Sequence, residues 1–569
     1  MKFYLIIILI FITWGCTSLR KTERSSKGHL SIEQQSEFDY QLSDALKQKM
    51  LGNYNRAELL LLKCLDLKPK NAVVYYELSL LFGNIGDKNS AVCFARKAVQ
   101  NDPTNEWYLL QCAKLYQETG KVDSVIYFFK NVVTIRPDKY EYSFKLAQLY
   151  LEGKYFKKSI KILNRLELST GPSRDIYFAE YRNYLALNDN KSCLNTLNKA
   201  LKKFPDETRF YGLLAEHYAS IGNHDQALIN YSKLLSLDAE DERGNLSLID
   251  FYRNSGDIQK SFYLSGRFIS NEGFKIPHKI ELIASYLNDE VCFSKNRTEI
   301  KMLIDSFLSK NRENLQGRTI LANFYLKSND LKNARTELSY LVANSNSDIL
   351  VWEQLLFVLN SMNDMIGVYN LSDTAINLFK DNPLFYLYKG ISAYQLKHYD
   401  VAISSLKHGL KFSDGSRDLL SKYYSYLGEA YNAVSDDSNS DYYFEKALSF
   451  DPKNFVILNN YSYYLTLRGV RLDSALNYSK RCLKVEPHNP IFLDTYAWVL
   501  YKIGKTNEAK TAIEGALSYG GNKNKNILEH YCEILLKLNM RESALECYKK
   551  IIELGKESPR IREILNLSK

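Results

Sequence analysis

Motifs that carry chemistry are missing from this chain. It holds no Walker-type phosphate loop, no GxSxG elbow and no dinucleotide-binding glycine pattern, so the common routes to phosphoryl, acyl and hydride transfer find no support. No two cysteines stand in CxxC spacing, which withdraws support from a zinc or dithiol site. His217 and His224 lie close in sequence but lack HExxH spacing. The acid-rich stretch from Asp436 to Asp441 has no central glycine or terminal glutamate and reads as a turn, not a calcium loop. The apolar stretch Phe3 to Trp14 is too short to span a bilayer, which takes about 20 residues, and no longer apolar run follows it. The net charge of +10 is spread along the chain, lysines alternating with acids. No compact basic stripe marks a nucleic-acid surface. These absences point to a binding protein with no catalytic residue, no metal and no small-molecule cofactor.

What the chain does have is a period. Gly52, Gly86 and Gly120 recur at one fixed step, Pro69, Pro103 and Pro137 keep the same step, and it returns at Pro205, Gly222 and Gly256. A ladder of mostly small residues runs through Ala57, Ala91, Val125, Ser159, Cys193, Ala227 and Ser261. The step is about 34 residues, the length of one helix–turn–helix unit of a solenoid. In the unit from Thr208 to Asp241, Tyr211, Leu214, Ala215 and Tyr218 give the first helix one apolar face. Gly222 can then close that helix in a left-handed conformation. The second helix brings Ala227, Leu228, Tyr231, Leu234 and Leu235. Ala215 and Ala227 are small because the two helices cross there, and a leucine at either would overpack the crossing by about 1–3 kcal/mol.

The order Tyr218, Gly222, Ala227 reproduces a YxxxGxxxxA motif. Tyr424, Leu427, Gly428, Tyr431, Phe444, Ala447, Leu448 and Pro452 keep a matching register. In these residues the chain resembles the tetratricopeptide repeat family. Units begin near Phe38, Ala72, Glu106, Tyr140, Arg174, Thr208 and Glu242, and again near Leu315, Ile349, Pro383, Ser421, Phe455, Pro490 and Lys525. The resemblance implies an all-α fold: an α-solenoid, a superhelix of 14 to 15 antiparallel helical hairpins.

Some units depart from the pattern. Tyr181 and Ile249 replace the small residue of the first helix, and the unit at Ile349 lacks the turn glycine. Between Ser261 and Ala334 the ladder slips by five residues. The domain reading is a first array over 38–275, a distorted helical repeat or bend over 276–314, and a second array over 315–569. A short charged helix around Ile561 to Leu567 is expected to cap the second array.

Met1-Lys2 and the apolar run after it suit a signal peptide over residues 1–15. Cys16 directly follows Gly15 where that run ends, which resembles a bacterial lipoprotein cleavage site. Thr13 and Trp14 depart from the usual residues of such a site. Residues 16–37 then form a polar tether holding Arg20, Lys21, Arg24 and Lys27. The resemblance implies acylation at Cys16, a membrane partner through that lipid, and residence in the cell envelope on the periplasmic face of an outer membrane. Of the remaining cysteines, Cys64, Cys193, Cys482 and Cys532 read as compact core residues. Cys532 and Cys547 share one hairpin and are the first pair that an oxidising compartment would join.

By family resemblance, positions 2, 5, 9, 12 and 13 of each unit line a concave groove that holds protein or peptide partners. In the units from Pro383, Phe455 and Pro490 these include Leu387, Ile391 and Tyr394, then Asn459 and Tyr463, then Asp494, Trp498 and Tyr501. Aromatic anchors beside side chains that hydrogen-bond to backbone suit an extended peptide. The lysine/asparagine clamp of chaperone-binding repeats is not reproduced. The leading expectation is an envelope scaffold for secretion, gliding or outer-membrane protein assembly. A glycan-capturing surface lipoprotein of the SusD-like type is the alternative, disfavoured because the repeats run on with short turns.

Overall fold

The computed structural model describes residues 30–344, 348–413 and 415–555. The signal peptide, Cys16, most of the tether and the expected capping helix lie outside them. All regular structure among the described residues is helical, arranged as fifteen successive hairpins. No described helix is long and apolar enough to cross a membrane. The chain divides into two compact units, the boundary falling between Ser261 and Phe262 within the helix Ile258–Ser270.

In the first unit, first helices start at Ile32, Ala72, Glu106, Tyr140, Arg174, Thr208 and Glu242. Capping explains several of these starts. Asn71 and Asp241 accept backbone N–H groups of the first turn, Asn71 from Val74 and Asp241 from Gly244. The glycines of the period take the left-handed turn position, with φ of +80° at Gly52, +91° at Gly86 and +78° at Gly222. Where glycine is missing, Asn188, Asn329, Asn363 and Asn539 adopt the same conformation, asparagine being the next most tolerant residue. The unit at Ile349 therefore keeps its turn through Asn363. The longer turn before Leu472 uses two left-handed residues, Gly469 and Arg471.

The small-residue ladder is buried at the crossing in every unit; Ala57, Ala91, Ser159, Cys193, Ala227 and Ser261 are all fully buried. Ser159 Oγ donates to the Ala147 carbonyl at 2.7 Å and Ser261 Oγ to the Ile249 carbonyl at 3.0 Å. Each bond joins the small position of the second helix to that of the first. Ser440 and Gly428 repeat it in the second unit at 3.0 Å. There a Cβ added at Gly428 would come within 2.9 Å of the Phe444 ring.

In the second unit the five-residue slip has a structural cause. The hairpin Ile276–Asn288 with Arg297–Lys310 carries a short helix, Glu290–Lys295, inserted between its arms. Asp289 caps that insert by accepting the Cys292 N–H at 2.9 Å, and Cys292 and Phe293 are buried. First helices then follow at Leu315, Ile349, Pro383, Arg417, Phe455, Pro490 and Lys525. The helix from Arg417 begins four residues before the expected Ser421 and runs to Ala433. Asp436 accepts the Asn439 N–H and starts the helix Asp437–Phe450, so the acid-rich stretch is a helix cap. Cys532 and Cys547 form a disulfide, with Cα atoms 5.7 Å apart. Burial pushes the free thiol of Cys112 up to about 12 and those of Cys64, Cys193 and Cys482 to about 11, which leaves them unreactive.

One buried carboxyl makes folding pH-dependent. Glu180 is 3 % exposed, its Oε1 has no partner, and burial, with Glu167 nearby, raises it to about 7. Its folded value lies above the unfolded one, so its stabilising contribution is whole below the unfolded pKa and is lost as pH rises through about 7. His217 has the opposite sign: burial lowers it, and its contribution fades as pH falls. Glu180→Gln should therefore melt higher than the parent at pH 8, by roughly 3 kcal/mol in stability. The two should converge at pH 4, as read from paired thermal melts.

Candidate partner-binding site

The expected groove residues separate into three settings. Leu387 is buried with Leu406, Tyr423 and Leu427, and Ile391 packs against that cluster. Tyr394 is half-buried, and its hydroxyl donates to Glu429 at 3.1 Å. The buried Glu429 carboxylate also accepts from Asn460 Nδ2 at 2.9 Å and from the Tyr464 hydroxyl, so three consecutive first helices meet at one acid.

The other five residues lie on two successive first helices, Phe455–Arg468 and Pro490–Lys502, followed by the first helix Lys525–Lys537. Asn454 caps Phe455–Arg468, Asn489 caps Pro490–Lys502 and Asn524 caps Lys525–Lys537. A proline at the first position of the middle helix presets its entry angle. Steps of three and four residues put Asn459 with Tyr463, and Asp494 with Trp498 and Tyr501, on shared helix faces.

At the middle of these faces stands His530, from the third helix, which sequence reasoning missed. Asp494 Oδ1 lies 2.8 Å from His530 Nδ1 and fixes the imidazole. The Trp498 indole stacks on that imidazole with centroids 4.1 Å apart and planes 20° apart, and on the Tyr501 ring at 4.9 Å and 18°. Tyr463 closes the far side, its ring 5.9 Å from His530. The Lys502 ammonium sits 5.2 Å from the Trp498 ring centre, within cation–π range. The spacing from Asp494 to His530, one repeat and two residues, is the only sequence signal for this pairing.

Two polar atoms on the helices Phe455–Arg468 and Pro490–Lys502 stand alone. Asn459 Oδ1 and Trp498 Nε1 are buried without a hydrogen-bond partner, in residues only 4 % and 6 % exposed. One accepts and the other donates, which is the complement of a peptide group. Among the described residues no three His, Cys, Asp or Glu side chains are placed to hold a metal.

Stacked antiparallel hairpins with small residues at each crossing define a helical-repeat binding protein. Residues 178–242 match the tetratricopeptide repeat family model, and the hairpins before and after them repeat the same helix–turn–helix architecture. No curated protein matches it in sequence. Among solved structures, it is similar to the APC/C hetero-tetramer Cut9–Hcn1 at 13 % identity, covering 82 % of this chain and 96 % of that one, with a TM-score of 0.39. Yeast Tom70 is similar at 15 % identity, covering 94 % and 95 %, with a TM-score of 0.32. A tetratricopeptide repeat protein from Parabacteroides merdae is similar at 14 % identity, covering 43 % and 97 %, with a TM-score of 0.28. Likeness at this level carries nothing about partners. The repeats themselves support a scaffold for protein–protein interaction.

An unpaired buried polar group costs about 1–3 kcal/mol. Trp498→Phe and Asn459→Leu remove the two lone atoms at similar size. Each is expected to hold or raise the melting temperature of the free protein, and a drop of more than a few degrees would show that the atoms are already satisfied.

Proposed function

We propose that this protein is a non-enzymatic scaffold, anchored by lipid at Cys16 to the periplasmic face of an outer membrane, that captures a peptide segment of a protein partner at the His530 cluster. The observation that carries the peptide reading is the pair of unpartnered atoms on adjacent first helices, Asn459 Oδ1 and Trp498 Nε1, the latter in the ring stack with Tyr501 and His530. A free protein gains nothing from such atoms. If the ring stack opens to a bound backbone, that backbone supplies an N–H to the first and a C=O to the second, while the half-buried Tyr463 and Tyr501 offer flat apolar area at low conformational-entropy cost. Tyr394, Leu387 and Ile391 extend the same line of first helices toward earlier repeats, where they hold the surface in shape.

The envelope reading rests on the amino-terminal pattern ending at Cys16 and is supported by the Cys532–Cys547 disulfide, since such bonds persist in oxidising compartments. Secretion, gliding and outer-membrane protein assembly are the envelope processes in which a scaffold of this kind would serve.

Crosslinking in native membranes, followed by recovery of the full chain, tests both parts. The double variant Asn459→Leu with Trp498→Phe should lose its crosslinked partner while its melting temperature holds; recovery equal to the parent would sink the peptide site. Cys16→Ser should move the chain from the membrane to the soluble fraction. Protease added to intact cells should leave the parent uncut, whereas cleavage would place it on the surface and favour glycan capture.

A further inference from the structure

Lysines and acids alternate along this sequence, yet folding sorts them. In the first unit a cavity of about 480 Å³ opens between the second helices Val122–Ile135 and Phe156–Thr170, with Tyr140–Glu152 beneath it. Lys130 reaches it from the first of these helices, and Lys158, Lys161 and Arg165 from the second. The last three are spaced by three and four residues, so they share one helix face. No acidic residue lines the cavity.

None of the four cations forms an ion pair among the described residues, although Lys158 lies over the Tyr155 ring at 4.5 Å. Carboxylates in the neighbourhood are committed elsewhere. Glu167 accepts from Lys199 and Tyr177, both at 2.6 Å; Asp138 pairs with Arg136 at 2.9 Å; Asp123 accepts from the Tyr155 hydroxyl at 2.9 Å. Ser143, Thr134 and Ser169 also line the cavity, the hydroxyls of the last two donating to the Lys130 and Leu166 carbonyls. Its floor is Leu146 and Tyr150, both buried.

Four exposed like charges around one recess repel each other, and no acid in the cavity lining offsets them. A compact oxyanion of two or more charges would do so. It would take charge-assisted hydrogen bonds from the lysines, a forked pair from the Arg165 guanidinium, and a further bond from the Ser143 hydroxyl. A single carboxylate would leave most of these donors unused. We propose that this cavity is a binding site for a phosphate-bearing ligand, separate from the peptide site of the second unit.

The test uses the full chain and two probes. Inorganic pyrophosphate in titration calorimetry reports a soluble ligand. Flotation with phosphatidylglycerol vesicles, against phosphatidylcholine vesicles, reports a lipid headgroup. The pocket variant is Lys158→Ala, Lys161→Ala and Arg165→Ala together. A control of equal charge change carries Lys63→Ala, Lys88→Ala and Lys202→Ala, all exposed residues outside the cavity. Far-ultraviolet circular dichroism verifies that both remain folded.

Saturable binding of at least one probe is expected, weakened roughly a hundredfold or more in the pocket variant and unchanged in the control. Loss of pyrophosphate binding alone assigns a soluble ligand; loss of vesicle binding assigns a headgroup. Absence of binding to both probes, or an equal loss in the control, overturns the proposal.

Discussion

Everything in this architecture depends on two helices approaching closely at one crossing per hairpin. Where that crossing is built from Ser159 and Ala147, or from Ser440 and Gly428, a side-chain hydroxyl bonds directly to the facing backbone carbonyl. Ser261 makes the same bond to the Ile249 carbonyl, so it is the small second-helix side chain that lets the backbones approach. The close approach lets the flanking large residues, such as Leu163 or Phe444, reach the next hairpin and bury themselves there. Each repeat then leaves an apolar face for its neighbour, which is why no single hairpin is a stable unit by itself.

The crossing is also what made the fold legible. A steric limit at a fixed place in every repeat writes small residues into the sequence at a fixed step, and turn glycines follow because a left-handed residue must close each first helix. Where the constraint can be met otherwise, legibility fades. Tyr181 and Ile249 are accommodated at the crossing, buried at 6 % and 1 % exposure. The insert Glu290–Lys295 obeys ordinary helix rules and breaks only the count, so the slip was visible in the sequence while its form was not.

The candidate site was legible in part for a different reason. Face positions can be assigned from a repeat register, and Tyr463, Asp494, Trp498 and Tyr501 meet around His530. Register cannot say what a neighbouring helix contributes, and His530 joins them from outside the expected positions. Nor does it say which side chains are consumed internally. Leu387 lies in the core, and the Tyr394 hydroxyl is spent on Glu429. The basic cavity was illegible altogether, because charge order along a chain is unrelated to charge order around a recess formed by separate helices.

The two sites use the two kinds of helix differently. First helices of the later repeats carry aromatic rings and lone polar atoms, whereas second helices of earlier repeats carry unpaired cations. In a repeat protein, interactions run between adjacent hairpins, so substitutions several repeats apart add nearly independently. A variant that empties the cavity near Lys158 therefore leaves the stacking of Trp498 on His530 unchanged, and the converse holds as well. Any coupling between the two ligands would have to come from the partner that joins them, as in two modules tied by one chain, where the gain arises from effective concentration with no new contact. With both proposed sites in use, such a scaffold would gain a second specificity without altering the first, because neither site touches the crossings that hold the hairpins together.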